Sequence, residues 1–287
     1  MSCFQIRTDL ALEARESIED KDGEIRGVSV EETYDAEHEI RVTKVVIETK
    51  NGAKAMGKPM GTYITLEAPG MIEPEEDYHQ EISAALAKQL KIIIPNVQRE
   101  QSVLVVGLGN RDVTADALGP HVADNLFVTR HVVREYGKAA YNKARMHMVS
   151  RIVPGVMAKT GMESAEIIKG VVEQTAPDVL LVVDALAARS TKRLNRTIQI
   201  TNTGIHPGSG VGNHRNALTE ESLEVPVIAI GVPTVVDAAT IVNDAVGETP
   251  VNITELNNMY VTSKDVDYQI KQISHIICDA INEALEL

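Results

Sequence analysis

Two aspartates, Asp116 and Asp184, stand where an α/β chain puts its chemistry. Each comes after a short continuous apolar run, Val103–Val106 (VLVV) and Val179–Val183 (VLLVV), of the kind that forms a buried parallel strand. In open α/β sheets ligands bind outside the carboxyl ends of such strands. Two acids sharing one site do not both ionise cheaply, so one pKa rises and the pair divides into an acid and a base. One carboxylate then takes a proton from water while the other protonates a carbonyl oxygen or a leaving nitrogen, the division that amide hydrolysis needs. Each aspartate also has a plain structural reading as a helix N-cap: Asp116 ahead of Ala117-Leu118, and Asp184 ahead of Ala185-Leu186-Ala187-Ala188.

The strand-end rule also selects Gly204–Arg215, a glycine-rich loop after the Thr197–Ile200 strand. His206 in that loop would complete a metal site of two carboxylates and one imidazole with Asp116 and Asp184. Otherwise it is a loop histidine bonded to nearby backbone. His214 and Arg215 read as solvent or substrate contacts. His121, His131 and His147 have no visible partner. Gly107-Leu108-Gly109 invites a dinucleotide-binding reading, but the third glycine position holds Asp112. No Gly-Lys-Ser/Thr occurs, so the phosphate-binding Walker pattern is absent, and no His-Glu-x-x-His occurs. Ser209 lies in Gly-Ser-Gly rather than in a Gly-x-Ser-x-Gly elbow. A two-aspartate site needs no cofactor and no metal; a metal-assisted peptidase and a phosphate-binding module are the alternatives.

The elements that must hold these residues are set by apolar spacing. Strands are expected at Glu39–Glu48, Thr62–Leu66, Val103–Val106, Val179–Val183, Thr197–Ile200 and Val225–Ile230. Lys50-Asn51-Gly52 reads as the turn of an N-terminal hairpin. Helices are expected over Asp77–Leu90, Met162–Gln174, Thr234–Val246 and Val266–Leu285, and the polar first ~35 residues read as a helix or an exposed arm. Apolar strands alternating with amphipathic helices predict an α/β fold: a mostly parallel sheet with helices on both faces, plus an N-terminal β-hairpin extension.

The 287 residues carry 28 Lys and Arg against 41 Asp and Glu, a formal charge of −13. That balance argues against direct nucleic-acid binding. No apolar run approaches the ~20 residues of a membrane span, and the first residues lack the apolar stretch of a secretory signal. Two cysteines, Cys3 and Cys278, make neither a disulfide framework nor a zinc cluster, which suits a reducing cytoplasm.

Several longer motifs, in one order along nearly the whole chain, resemble the germination protease family of spore-forming bacteria. They are Arg7–Ala11, Tyr63–Ala68, Gly107–Asn110 with Asp116–Pro120, and Val128–His131. Pro154–Met157, Asp184–Arg189, Gly204–Asn213 and Pro226–Ala238 complete the set. The resemblance implies an endopeptidase that degrades small acid-soluble spore proteins at germination in the cytoplasm of the spore core, and a homotetramer. It places the family's two catalytic aspartates on Asp116 and Asp184. A distant similarity to the hydrogenase maturation proteases, which bind a metal through two acids and a histidine, keeps the His206 alternative open. The family is made as a precursor that removes its own N-terminal segment, and its substrate sites resemble acid–large apolar–Ala. Asp9-Leu10-Ala11 has that pattern, so cleavage is expected between Asp9 and Leu10. Residues 1–9 would then be a prosegment and 10–287 a single α/β protease domain. Two positions depart from the family pattern. Asp112 adds a third carboxylate beside the proposed pair, and Glu224 stands where a glycine with positive φ is expected.

Overall fold

The computed structural model describes residues 8–22, 25–143, 145–207, 216–246, 256 and 259–287. The N-terminal third contains α1 (Ala11–Asp22), β1 (Val28–Asp35), β2 (Ile40–Ile47), α2 (Lys50–Met56), β3 (Gly61–Glu67) and α3 (Glu76–Ile93). The middle contains β4 (Ser102–Gly107), α4 (Leu118–Asn125), α5 (Arg130–Tyr136), β5 (Met148–Ile152), α6 (Met157–Thr160), α7 (Ser164–Thr175) and β6 (Val179–Ala188). The last part contains β7 (Thr197–Thr201), α8 (Glu220–Leu223), β8 (Val227–Asp237), α9 (Ala238–Val246), β9 (Tyr260–Val261) and α10 (Val266–Ala284).

Among the described residues one sheet takes all nine strands, in the order β1-β2-β3-β7-β8-β6-β4-β5, with β9 on β8. The class is α/β, as the alternation of elements predicts. The parallel order holds for β8, β6, β4 and β5; from β8 outward through β7, β3, β2 and β1 every pairing is antiparallel. Within the parallel half the chain passes from β4 to β5 on one side and then to β6 on the other. The topological switch point therefore lies between β4 and β6, where doubly wound sheets open a crevice.

Every position of β4 is buried, because side chains on both of its faces meet helices. On one face α3, α4 and α10 close over Val103, Val105, Leu181, Val183 and Ile230. On the other face α7 packs on Leu104, Val106, Leu180 and Val182. α1 and α2 cover Val45, Ile47 and Tyr63 of the antiparallel half. Helices thus lie on both faces, as predicted. α10 sets Ile270, Ile273, Ile277 and Ile281 in one buried stripe. Cys278 sits in the same core, where burial raises its thiol to about 11. The unfolded thiol ionises near pH 8.5 and the folded one does not, so stability is lost as pH rises through that window. The expected loss is of order 3 kcal/mol between pH 8.5 and 11. A Cys278→Ala variant followed by thermal melts should lack that component.

Four local expectations need correction. Lys50-Asn51-Gly52 is no tight turn but the start of α2: Thr49 caps it, its Oγ1 accepting from Gly52 N at 3.1 Å, and Gly57 ends it at φ 61°. The charge-rich segment 28–35 is not an arm but an edge strand, paired antiparallel with β2 from Val28↔Ile47 to Asp35↔Ile40. β6 does not stop at Val183, nor β8 at Ile230. The two sustain each other past the end of β4 through Asp184↔Gly231, Ala185↔Val232 and Leu186↔Pro233. Residues 234–237 are consequently strand, and α9 starts only at Ala238, behind the Asp237 carboxylate that accepts from Thr240 N at 2.9 Å. Finally, β7 is antiparallel to β8, so its carboxyl end does not lie on the edge where the parallel strands end. Glu224 does take the positive φ expected there, 56°, as the residue that closes α8. For a side chain with a Cβ this costs about 1 kcal/mol.

Candidate active site

The loop leaving β4 folds back sharply on itself. Leu108 N donates to Val183 O at 2.8 Å, tying the loop to β6 one residue before Asp184. Asn110 N donates to Asp116 O at 2.9 Å, closing the loop. Glycines permit this approach. Gly109 has φ 118°, and a Cβ there would collide with the Asp116 carbonyl oxygen and come within 3.3 Å of Asp116 Oδ1. A Cβ on Gly119 would meet the backbone oxygens of both Leu108 and Val183. The position ahead of α4 is Ala117, with no side-chain cap, so Asp116 is not the N-cap of that helix.

Asp184 is not an N-cap either, because it lies within β6. Its side chain is 6% exposed, and its Oδ1 accepts from Ala185 N at 3.0 Å. Beside it in register stands Gly231, and beyond that Gln199 of β7. The Leu186 side chain lies over Gly231, where a Cβ would collide with it. A cavity of about 380 Å³ opens beside this row, and Asp116 and Asp184 both line it. The structure therefore brings the two aspartates expected from the strand ends to one cavity at the switch point.

The same cavity receives the chain's own N-terminal segment. Asp9 N donates to Ala187 O at 3.1 Å, and the Asp9 carboxylate accepts from Ala187 N at 2.9 Å. Leu10 is fully buried against Leu186, Ala188 and Val236. The Asp9 carbonyl oxygen accepts from Lys58 Nζ at 2.9 Å and from Gln199 Nε2 at 3.2 Å. Gln199 Oε1 in turn accepts from Ala11 N at 2.7 Å. The next element, α1, is fastened by Glu13, whose carboxylate accepts from Arg189 N and Ser190 N at 2.8 and 3.0 Å. Arg193 bridges Glu16 at 2.6 Å and Glu67 at 3.0 Å across the same junction. Burial holds the Lys58 ammonium below the ordinary lysine pKa, an effect that Asp9 and Glu13 oppose.

Neither Lys58 nor Gln199 belongs to a motif, and neither is among the residues expected from sequence. One signal was available for Gln199. In Thr197–Thr201 (TIQIT) the two isoleucines turn to the α10 face, which leaves a polar residue buried on the other face of a central strand. Lys58 has no comparable signal, because it comes directly after the Gly57 that ends a short helix.

His206 lines the cavity but is exposed. Among the described residues no three His, Cys, Asp or Glu side chains converge as a metal-ligand set, so the residues present do not fit the Asp116–Asp184–His206 metal site. Asp112 is exposed and ion-paired with Lys159 rather than turned toward the aspartates. His147 is buried beneath Gln101, whose backbone N donates to its Nδ1 at 3.3 Å. Ser209, His214, Arg215 and the glycines between them lie outside the described residues. Among the described residues no helix is long and apolar enough to cross a membrane.

A family model described as Germination protease matches residues 6–249. The germination protease of Caldanaerobacter subterraneus subsp. tengcongensis is 45% identical over 98% of this chain and 94% of its own length. That of Clostridium perfringens (strain ATCC 13124) is 44% identical over 99% of this chain and 96% of its own. That of Bacillus subtilis is 47% identical over 85% of this chain and 66% of its own. Among solved structures, a [NiFe] hydrogenase maturation protease from Thermococcus kodakarensis aligns with 68% of this chain and 99% of its own, at 15% identity and a TM-score of 0.36. Matched over most of its length by the family model and almost end to end by two of these relatives, the chain belongs to the germination protease family and is a peptidase.

Proposed function

We propose that the chain is an endopeptidase that degrades small acid-soluble spore proteins at germination, in the spore core, after removing its own residues 1–9. Asp116 and Asp184 act as the acid–base pair, and the domain that remains runs from Leu10. The observation that carries this reading is the shared cavity: two aspartates from separate elements face one space, and the chain's own acid–Leu–Ala segment is docked in it.

The catalytic cycle balances with one proton on the pair. The ionised aspartate takes a proton from water as the water oxygen bonds to the peptide carbon, and the carbonyl electron pair moves onto oxygen. The protonated aspartate gives its proton to the amide nitrogen. The C–N bond then breaks, its electrons stay with nitrogen, and a carboxyl group and an amine result. The pair keeps one proton, with the two roles exchanged. Because the acids titrate together, neither role is assigned to one residue.

Intact-mass analysis of the purified full-length chain at mildly acidic pH tests the reading. The expected product begins at Leu10, lighter by residues 1–9. A first cut at any other bond, or an unchanged mass in a chain that also fails to cut an added spore protein, would overturn it.

A further inference from the structure

We propose that Lys58 and Gln199 are the carbonyl-polarising donors of this site, holding the oxygen of the bond to be cut. The proposal rests on the reading of Asp9–Leu10 as the self-cleaved bond. Two independent donors converge on one acceptor, the carbonyl oxygen of Asp9, from elements far apart in the chain: Lys58 between α2 and β3, and Gln199 from the middle of β7. Most backbone carbonyls in folded proteins bond to other backbone groups. This one instead receives an ammonium and a carboxamide, in the cavity that also holds Asp116 and Asp184.

The chemistry needs such a pair. When water adds to the Asp9 carbon, the carbonyl π electrons move onto oxygen, and an anion forms where a neutral oxygen stood. Donors already aimed at that atom gain strength as the charge develops, and at low dielectric they gain more. Lys58 supplies a full positive charge and Gln199 a fixed dipole. Gln199 is itself held in place, since its Oε1 accepts from Ala11 N at 2.7 Å, on the far side of the same bond. One side chain thus grips the segment at the acid position and again two residues later. Lys58 Nζ likewise reaches the preceding carbonyl, Thr8 O, at 3.2 Å.

The contacts also define what fits on either side of the bond. The acid side chain is read by a backbone amide, Ala187 N, and the next residue enters a closed apolar pocket of Leu186, Ala188 and Val236. A substrate protein presenting the same three-residue pattern would place its own carbonyl between Lys58 and Gln199.

The test is the rate of Asp9–Leu10 cleavage in the full-length chain, by intact mass, for wild type, Lys58→Met, Lys58→Arg and Gln199→Leu. Removing one such donor costs about 10²–10³-fold, so Lys58→Met and Gln199→Leu should each slow cleavage by at least 100-fold. Lys58→Arg, which keeps charge and donor, should recover most of the loss. Amide exchange at Asp9 and Ala187 is read in the same samples and should stay protected, because docking also rests on the Ala187 contacts and on buried Leu10. Wild-type rates in Lys58→Met or Gln199→Leu would overturn the donor pair and leave the aspartate reading intact. Slow cleavage with lost protection would overturn it too, by showing that these residues only anchor the segment. A wild-type chain that never cuts this bond would remove both readings together.

Discussion

Asp184→Asn should leave the full-length chain folded and uncut, and Asp116→Asn should do the same. Positioned acid–base groups contribute about 10²–10⁴-fold each. Within a pair that must pass one proton between its members, losing either carboxyl removes both halves of the transfer. The expected loss of Asp9–Leu10 cleavage is therefore about 10³-fold or more for either variant, with little further loss in the double variant. Asn is close in shape to Asp and can accept from Ala185 N through its amide oxygen, as Asp184 Oδ1 does at 3.0 Å. Far-UV spectra and melting temperature should change little. The pair needs one proton, so cleavage should quicken as pH falls from neutral. Docking within one molecule also makes the rate independent of protein concentration. An Asn variant that cuts at the wild-type rate, or a wild type that cuts fastest at alkaline pH, would sink the mechanism.

The sequence located these aspartates for a physical reason. Buried parallel strands are uninterrupted apolar runs, and VLVV and VLLVV are visible without any knowledge of partners. Asp184, the residue directly after VLLVV, lies at the sheet's carboxyl edge by geometry, whereas Asp116, ten residues past VLVV, is returned to it by the loop that Leu108 and Asn110 tie down. The reach of β6 and β8 was not legible, because it depends on pairing. Asp184 carries no strand signal of its own and is kept extended by its pairing with Gly231, and Thr234 is the extra residue that the ladder skips between Leu186↔Pro233 and Ala187↔Val235. β1 was hidden for the opposite reason: only Val28 and Val30 of this edge strand pack on the core, and its remaining exposed, mostly polar residues look like an arm. The cavity's amide and ammonium were the least legible of all. Lys58 and Gln199 meet only because β3 and β7 are neighbours in the sheet, a long-range fact that no local spacing encodes.

Gly109→Ala should be the most damaging single methyl in the molecule for this chemistry. The residue has φ 118°, outside the range that a side chain adopts without strain, and its Cβ would occupy the place of the Asp116 carbonyl oxygen. Strain of ~1–3 kcal/mol and overpacking of similar size give an expected stability loss of roughly 2–6 kcal/mol. The loop can relieve this only by releasing Asn110 N from Asp116 O, the 2.9 Å bond that closes it. Asp116 would then move away from Asp184, whose own strand is untouched. Cleavage at Asp9–Leu10 should fall by 10²-fold or more, since displacement of a reacting group by about 1 Å already costs that much. Gly170→Ala is the matched control. It lies within α7, and no atom within 4 Å would meet its Cβ, so it should raise stability by roughly 0.5–1 kcal/mol and leave cleavage unchanged. Equal behaviour of the two alanines would mean that the glycine does not set the Asp116 loop. The aspartates would then owe their common cavity to the strands alone.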